Sequence, residues 1–133
     1  MTLGLLDTSF IVRYLTGEPP EMADAAATVI DGDEVVAISP VGLVESAHVL
    51  SKVYGVPREE VVDALLDFLQ KGNVRTIGAD KALLAEALLT CRPSHRVSFS
   101  DAVLWAEARS ADIRLIYTFD RSFPSESVEL RHS

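Results

Sequence analysis

The chain has few of the features that mark secreted or membrane-embedded proteins. Cys91 is the one cysteine among 133 residues, so no disulfide can form within the chain, as is usual in a reducing compartment. No hydrophobic run approaches the roughly 18 residues of a membrane helix. The sequence has no basic segment followed by an apolar stretch, which is the pattern of a signal peptide, so we predict none. We therefore expect a cytoplasmic protein that does not associate with a membrane.

Positive charge is also scarce. Twelve lysines and arginines stand against 20 acidic residues, which gives a net charge of −8. Such a chain lacks the broad basic face of many nucleic-acid-binding proteins. If it binds a polyanion, local basic side chains or bound cations must supply the positive charge. The acidic surface could equally attract a basic protein partner.

The composition and the pattern of apolar residues predict one α/β domain over residues 1–133. Hydrophobic residues make up 48% of the chain, which is enough for a sizeable core. Short apolar runs predict strands at 3–6, 35–38, 74–77 and 115–117, with a weak fifth at 128–130, and the first run is typical of a strand buried on both faces. Helical patterns separate them, at 10–15, 21–30, 41–54, 57–69, 81–90 and 98–110. Strands that alternate with helices need crossover connections and therefore predict a parallel sheet.

Three aspartates occupy positions that place them at one edge of such a sheet. Asp7 and Asp120 each end an apolar run, and Asp101 lies in the first turn of a predicted helix. Open α/β sheets bind ligands at the carboxyl ends of their strands. Each aspartate also has a purely structural explanation: Asp7 as a helix cap with Thr8 or Ser9 beside it, Asp101 as a partner of the helix dipole, and Asp120 as a turn former.

Glu45 is a fourth candidate because of its neighbours on the predicted third helix. It shares a helical column with Val41, Val49 and Val53, at spacings of four residues. This apolar column predicts that Glu45 is at least partly buried. A buried carboxylate needs a partner, which could be a lysine or arginine, or a metal ion shared with the aspartates.

Four carboxylates in one pocket would repel one another unless cations lay between them, and at least one pKa in the group should be raised. Oxygen ligands without a histidine or cysteine cluster favour Mg²⁺ or Mn²⁺ over zinc. Two such ions about 4 Å apart would activate a water and stabilise the leaving oxygen of a phosphodiester. Bound metals would also allow an acidic pocket to bind a polyanion.

Four segments of the sequence resemble the PIN-domain family, and within it the VapC-type toxins of toxin–antitoxin modules. They are Leu5-Leu6-Asp7-Thr8-Ser9, Val44-Glu45, Phe99-Ser100-Asp101-Ala102 and Thr118-Phe119-Asp120-Arg121-Ser122-Phe123. The resemblance covers essentially the whole chain. It implies a three-layer α/β/α sandwich around a central parallel sheet of four or five strands, with the last strand only weakly matched.

The resemblance also implies a function. It implies a metal-dependent ribonuclease in which Asp7, Glu45, Asp101 and Asp120 are catalytic and bind the metal, while Ser9 and Thr118 support the acids by hydrogen bonds. It further implies a cognate antitoxin, for which we expect a basic segment that covers the acidic site, and a homodimer. Arg13, Lys52, Arg96 and Arg121 are candidate contacts to RNA phosphates, although each could be an ordinary surface charge.

Other functional classes fit the sequence less well. A receiver-type signalling domain is similarly short and acidic, but it needs a pair of acids after the first strand and a lysine after the last. Here Thr8-Ser9 follow Asp7, and Arg121 follows Asp120. A PIN fold retained only as a binding module is a further alternative, although all four acids are present. Glu45 and His48 form a single E-x-x-H, whereas di-iron bundles need two. We expect Trp105 to be a core or dimer contact.

Overall fold

The structure, a computed structural model, describes residues 3–132, so the ends of the predicted 1–133 domain lie outside the described part. Short strands and helices alternate along it. The strands are β1 (Gly4–Leu5), β2 (Val36–Ile38), β3 (Val74–Thr76), β4 (Leu115–Tyr117) and β5 (Glu129–Arg131). The helices are α1 (Thr8–Thr16), α2 (Pro20–Ile30), α3 (Pro40–Lys52), α4 (Arg58–Leu69), α5 (Lys81–Cys91) and α6 (Phe99–Ser110). None of these helices is long and apolar enough to cross a bilayer.

All the strand pairs are parallel, which confirms the predicted α/β fold class. β1, β2 and β3 form one sheet in that order, with Leu5 opposite Ala37 and Ala37 opposite Arg75. β4 and β5 form a second, two-stranded sheet in which Leu115 lies opposite Glu129. The five strands are thus present, but within residues 3–132 they hydrogen-bond as a group of three and a group of two. The weak fifth strand is formed, one residue later than predicted.

β1 differs from the expected strand buried on both faces. Leu3 and Leu5 are 50% and 62% exposed, and only Leu6 is buried. The reason is that β1 has two residues and a partner on one side only, since no described strand pairs with its second edge. A central strand would be covered on both sides, whereas this one is an edge strand.

A single hydrophobic cluster joins the helices to the sheets. Its largest fully buried side chains come from different helices, among them Ile30, Leu43, Leu65, Leu84 and Trp105. Each such side chain contributes about 1.5–3 kcal/mol through burial. Trp105, predicted to be either a core residue or a dimer contact, is buried in the core. Its Nε1–H donates to the Glu126 carbonyl at 3.0 Å. That bond fastens the segment between β4 and β5 to α6.

Candidate active site

Asp7 lies two residues after the end of β1 and is the N-cap of α1, with Thr8 and Ser9 in the first turn, so the structural explanation of Asp7 as a helix cap is confirmed. Its Oδ1 accepts hydrogen bonds from the Ser9 hydroxyl at 2.6 Å and from the Phe10 N–H at 3.3 Å. These bonds, the Ser9 hydroxyl foremost, hold the pKa of Asp7 below its ordinary value because they stabilise the charged form. Within residues 3–132, Oδ2 has no hydrogen-bond partner and remains available to a ligand.

Glu45 approaches the Asp7 region through a hydrogen bond, but it is not buried. Its Oε2 accepts from the Thr8 hydroxyl at 3.0 Å, which links α3 to the first turn of α1. The side chain is exposed, so the prediction that it is at least partly buried is wrong. The structure therefore removes burial as an argument for its function, while the link to Thr8 places Glu45 beside Asp7.

The exposure of Glu45 follows from the face that α3 turns to the core. Val41 and Val53, in the same column as Glu45, are 65% and 74% exposed. Leu43, Ala47 and Leu50 are buried instead. Residues two positions apart lie about 200° apart around a helix, so the buried and exposed columns are on opposite sides. Both columns are apolar, and the sequence pattern alone did not distinguish them.

Asp101 and Asp120 form a carboxylate pair. Asp101 lies in the first turn of α6, where its N–H donates to the hydroxyl of the N-cap residue Ser98 at 3.0 Å. Asp120 follows β4, and its Oδ1 accepts from the Ser122 N–H at 2.8 Å. Burial, followed by the hydrogen bond and charge of Asp120, raises the pKa of Asp101. One raised pKa among the acids agrees with the expectation from the sequence, and Asp101 is where it occurs.

The two residues predicted to support the acids make local hydrogen bonds to them. Ser9 donates to the Asp7 carboxylate, as described above. Thr118 accepts the Asp120 N–H on its hydroxyl at 3.0 Å. Together with the bond between Ser122 and Asp120, this fixes the turn that follows β4. Each aspartate that ends a strand is therefore held by a hydroxyl two residues away in the chain.

The four acids form a row and do not close into one cluster. Glu45 and Asp101 line the same groove of about 380 Å³ between α3 and α6. Asp7 adjoins Glu45 through Thr8, and Asp120 adjoins Asp101. Within residues 3–132, no three or more His, Cys, Asp or Glu side chains are close enough together to hold a metal ion. Because β1 and β4 do not pair, Asp7 and Asp120 do not end neighbouring strands, which would lie about 4.8 Å apart.

The donor atoms of this row fit a divalent cation in their chemistry. All of them are carboxylate oxygens, the ligands that Mg²⁺ and Mn²⁺ prefer, and no sulfur or imidazole ligand is among them. Two neighbouring carboxylates, as in the Asp101–Asp120 pair, repel each other when both are ionised, and a bound cation would reduce that repulsion.

The four candidate RNA contacts occupy different surroundings. Lys52 ends α3, Arg96 lies between α5 and α6, and Arg121 follows Asp120, all with exposed side chains. Arg13 is half-buried on α1. None of the four takes part in an ion pair within residues 3–132.

The structure adds Arg58, which the sequence analysis did not single out. Its Nε–H donates to the Cys91 carbonyl at 2.5 Å and its Nη2–H to the Val97 carbonyl, and its guanidinium lies 4.4 Å from the centre of the Phe99 ring. It thereby connects α4 to both ends of the loop that leads into α6 and Asp101. No local signal marks such a residue, since its partners are 33 to 41 positions away in the chain.

Comparison with protein families identifies the fold. A family model for the PIN domain matches residues 4–125. The chain belongs to the PIN domain family. The match confirms the family that the sequence segments resemble, and it includes Asp7, Glu45, Asp101 and Asp120. PIN domains are generally nucleases that use divalent metal ions, so this PIN domain has a nuclease-type fold. No curated protein matches the chain in sequence.

Proposed function

We propose that this PIN domain is a ribonuclease that depends on Mg²⁺ or Mn²⁺ and hydrolyses RNA phosphodiester bonds. The observation that carries the proposal is the row of four carboxylates, which ends in the Asp101–Asp120 pair. The pKa of Asp101 is raised, first by its partial burial and then by the neighbouring Asp120. A bound cation would relieve this repulsion, and the family match supplies the class of reaction.

In this proposal, Asp7, Asp101 and Asp120 together with Glu45 hold the metal, as two ions. Bound divalent cations would lower the pKa of a water and stabilise the developing charge on the leaving 3′ oxygen. The Ser9 hydroxyl keeps Asp7 ionised and oriented, since its hydrogen bond favours the carboxylate. The Thr118 hydroxyl fixes the backbone of the turn that carries Asp120. Thr8 positions Glu45 from the side of α1.

The acidic composition is compatible with an RNA substrate under this proposal. Metal ions would supply positive charge within the row of acids, and cationic side chains would supply it around the row. Arg13, Lys52, Arg96 and Arg121 are the proposed contacts to the phosphates, and none is neutralised by an ion pair within residues 3–132.

Cleavage of a labelled single-stranded RNA in Mg²⁺ or Mn²⁺ tests the proposal. Asp7→Asn should lower the rate by orders of magnitude without altering the circular dichroism spectrum. Asp33→Asn is the matched control, because Asp33 is an exposed acid that precedes β2 and so lies at the opposite edge of the sheet. Full activity of Asp7→Asn, or of the wild type in excess EDTA, would exclude this mechanism. Metal-dependent RNA binding without cleavage would indicate a binding module instead.

The cellular role that we propose is the VapC-type toxin of a type II toxin–antitoxin pair in the cytoplasm. An active ribonuclease must be restrained, and the acidic row is suited to a small antitoxin with a basic, partly disordered segment. An arginine or lysine of that segment could take the place of the metal's charge. Isolation of the protein from its native cell without a bound small protein would contradict this role.

We also propose a homodimer. Small α/β domains commonly pair through an isologous interface. Light scattering at micromolar concentration should give twice the monomer mass. A monomeric mass would contradict the dimer without affecting the proposed chemistry.

A further inference from the structure

A second groove lies beside the acidic row, between α1 and α3. It has a volume of about 440 Å³ and begins at Asp7, Thr8 and Ser9. Arg13 and Tyr54 also line it. A ligand that occupies this groove therefore reaches both the first carboxylate of the row and a guanidinium.

Arg13 is held in place by neutral groups. Its Nη1–H donates to the Tyr54 hydroxyl at 3.1 Å and to the Glu18 carbonyl at 3.4 Å. Within residues 3–132 it has no carboxylate partner, although the chain carries an excess of acids. Both of these bonds use Nη1, so the Nε–H and Nη2–H groups of the guanidinium have no described acceptor. These bonds orient the Arg13 guanidinium without pairing its charge with a carboxylate. Its Nε–H and Nη2–H groups remain available as donors.

The rest of the groove is apolar. Val12 is buried at its base, Val49 is half-buried, and Val53 is 74% exposed. A fixed cation next to apolar side chains and a tyrosine suits an unstacked nucleotide, which presents a phosphate to the cation and a sugar or base to the apolar surface. A planar guanidinium with free donors is the group that binds phosphate in a bidentate manner.

We propose that the groove between α1 and α3 is a subsite for a nucleotide of single-stranded RNA adjacent to the bond that is cut, with Arg13 bound to its phosphate and Tyr54 orienting Arg13. This inference rests on the proposed function, because it takes the row of acids as the place of cleavage. It goes beyond that function in naming the groove, the nucleotide and the role of Tyr54.

The test measures RNA affinity apart from cleavage. A fluorescently labelled single-stranded RNA of mixed sequence is titrated with the Asp120→Asn protein, which should not cleave, at several salt concentrations. Arg13→Gln in this background should weaken binding about tenfold or more, the loss expected for a charged hydrogen bond. It should also reduce the slope of log K against log salt concentration by about 0.7, the value for one phosphate contact on a single strand.

Two conservative variants separate the charge from its orientation. Arg13→Lys keeps the charge and should restore the salt slope while recovering only part of the affinity, because lysine lacks the planar fork. Tyr54→Phe removes the hydroxyl that holds Arg13 and should weaken binding about threefold, less than the loss of a charged contact, with the salt slope unchanged. If Arg13→Gln does not fold, the Arg13→Lys and Tyr54→Phe measurements still decide the inference.

Arg75→Gln is the matched control. Arg75 is exposed on β3, two strands from β1, and its replacement removes the same charge. Equal losses for Arg13→Gln and Arg75→Gln would mean that only net charge matters and would overturn the inference. Unchanged RNA affinity in the Arg13 variants would overturn it as well. If Arg13→Gln leaves RNA affinity unchanged but releases a co-purified protein, the groove binds a protein and not RNA, and the inference is wrong.

The two proposals can fail separately. RNA binding that depends on Arg13, in a wild-type protein that cuts no RNA, would support the groove as a nucleotide-binding site, but it would exclude the proposed function and the position of the nucleotide beside a cut bond. Normal cleavage by the wild type, together with unchanged binding and cleavage in the Arg13 variants, would support the function and exclude the subsite.

Discussion

Replacement of Arg58 by glutamine should destabilise the protein strongly, and the structure gives the reason. Arg58 donates to the carbonyls of Cys91 and Val97, which lie at the end of α5 and just before α6, and its guanidinium packs on Phe99. Glutamine is too short to reach both carbonyls and carries no charge. The variant would leave two backbone acceptors in a part-buried region without their protein donor.

The expected loss of unfolding free energy is about 3–4 kcal/mol. A hydrogen bond from a charged donor contributes about 1.5 kcal/mol at the lower end of its range, which suits part-buried groups that water can reach. The cation–π contact to Phe99 contributes about 0.5–1 kcal/mol. For a protein of this size, such a loss lowers the melting temperature by roughly 10–15 °C.

Thermal and urea unfolding of three variants provide the measurement. Arg58→Lys should lose less than Arg58→Gln, because it keeps a charge that can reach one carbonyl and the ring. Arg92→Gln is the control, since Arg92 pairs with Asp63 through two exposed hydrogen bonds at the same end of α5. Exposed ion pairs contribute less than about 1 kcal/mol. If Arg58→Gln is no less stable than Arg92→Gln, the assigned role of Arg58 is wrong.

Two further predictions concern titratable groups. Because the pKa of Asp101 is raised in the folded state, the stability of the metal-free protein should fall as pH rises from about 4 through that raised pKa. Asp101→Asn should make the stability less dependent on pH and should raise the melting temperature at pH 7 in EDTA. Mn²⁺ at a hundredfold excess over its dissociation constant should stabilise the wild type by about 2.7 kcal/mol and the variant by less. Equal stabilisation of both proteins by the metal would count against the site. Burial raises the pKa of the Cys91 thiol to about 11, so iodoacetamide at pH 8 should leave the native protein unlabelled and label it in urea; rapid labelling of the native protein would contradict the burial of this thiol.

The helices and strands were accessible from the sequence because their signals are local. The predicted strand at 115–117 has the observed bounds, and α5 and α6 differ from prediction by one residue at one end. Apolar periodicity, helix caps and turn residues act over a few positions, so each segment carries its own signal. The cap of α1 was accessible in the same way, because Asp7, Thr8 and Ser9 are all residue types that favour a helix start, and Asp7 is the N-cap.

The arrangement of the candidate site was only partly accessible. Asp7, Asp101 and Asp120 could be chosen because each follows a strand or opens a helix. Glu45 was chosen for a burial that does not occur, since α3 turns the column of Leu43 and Ala47 to the core. The division of the strands into two sheets, which separates Asp7 from Asp120, had no signal in the sequence. Strand order depends on long-range pairing, and each strand pattern is compatible with several neighbours.

By itself, the sequence determined the elements, the parallel α/β class, the PIN family and the acids worth examining. Tertiary structure alone decided which apolar column of α3 is exposed, which carboxylates are neighbours, and which way the pKa values of Asp7 and Asp101 move. It also determined the hydrogen bonds of Arg58 to the Cys91 and Val97 carbonyls and of Arg13 to the Tyr54 hydroxyl. The physical reason is distance along the chain: local patterns fix backbone conformation, whereas burial, charge pairing and hydrogen bonds between residues some 40 positions apart exist only after the helices have packed.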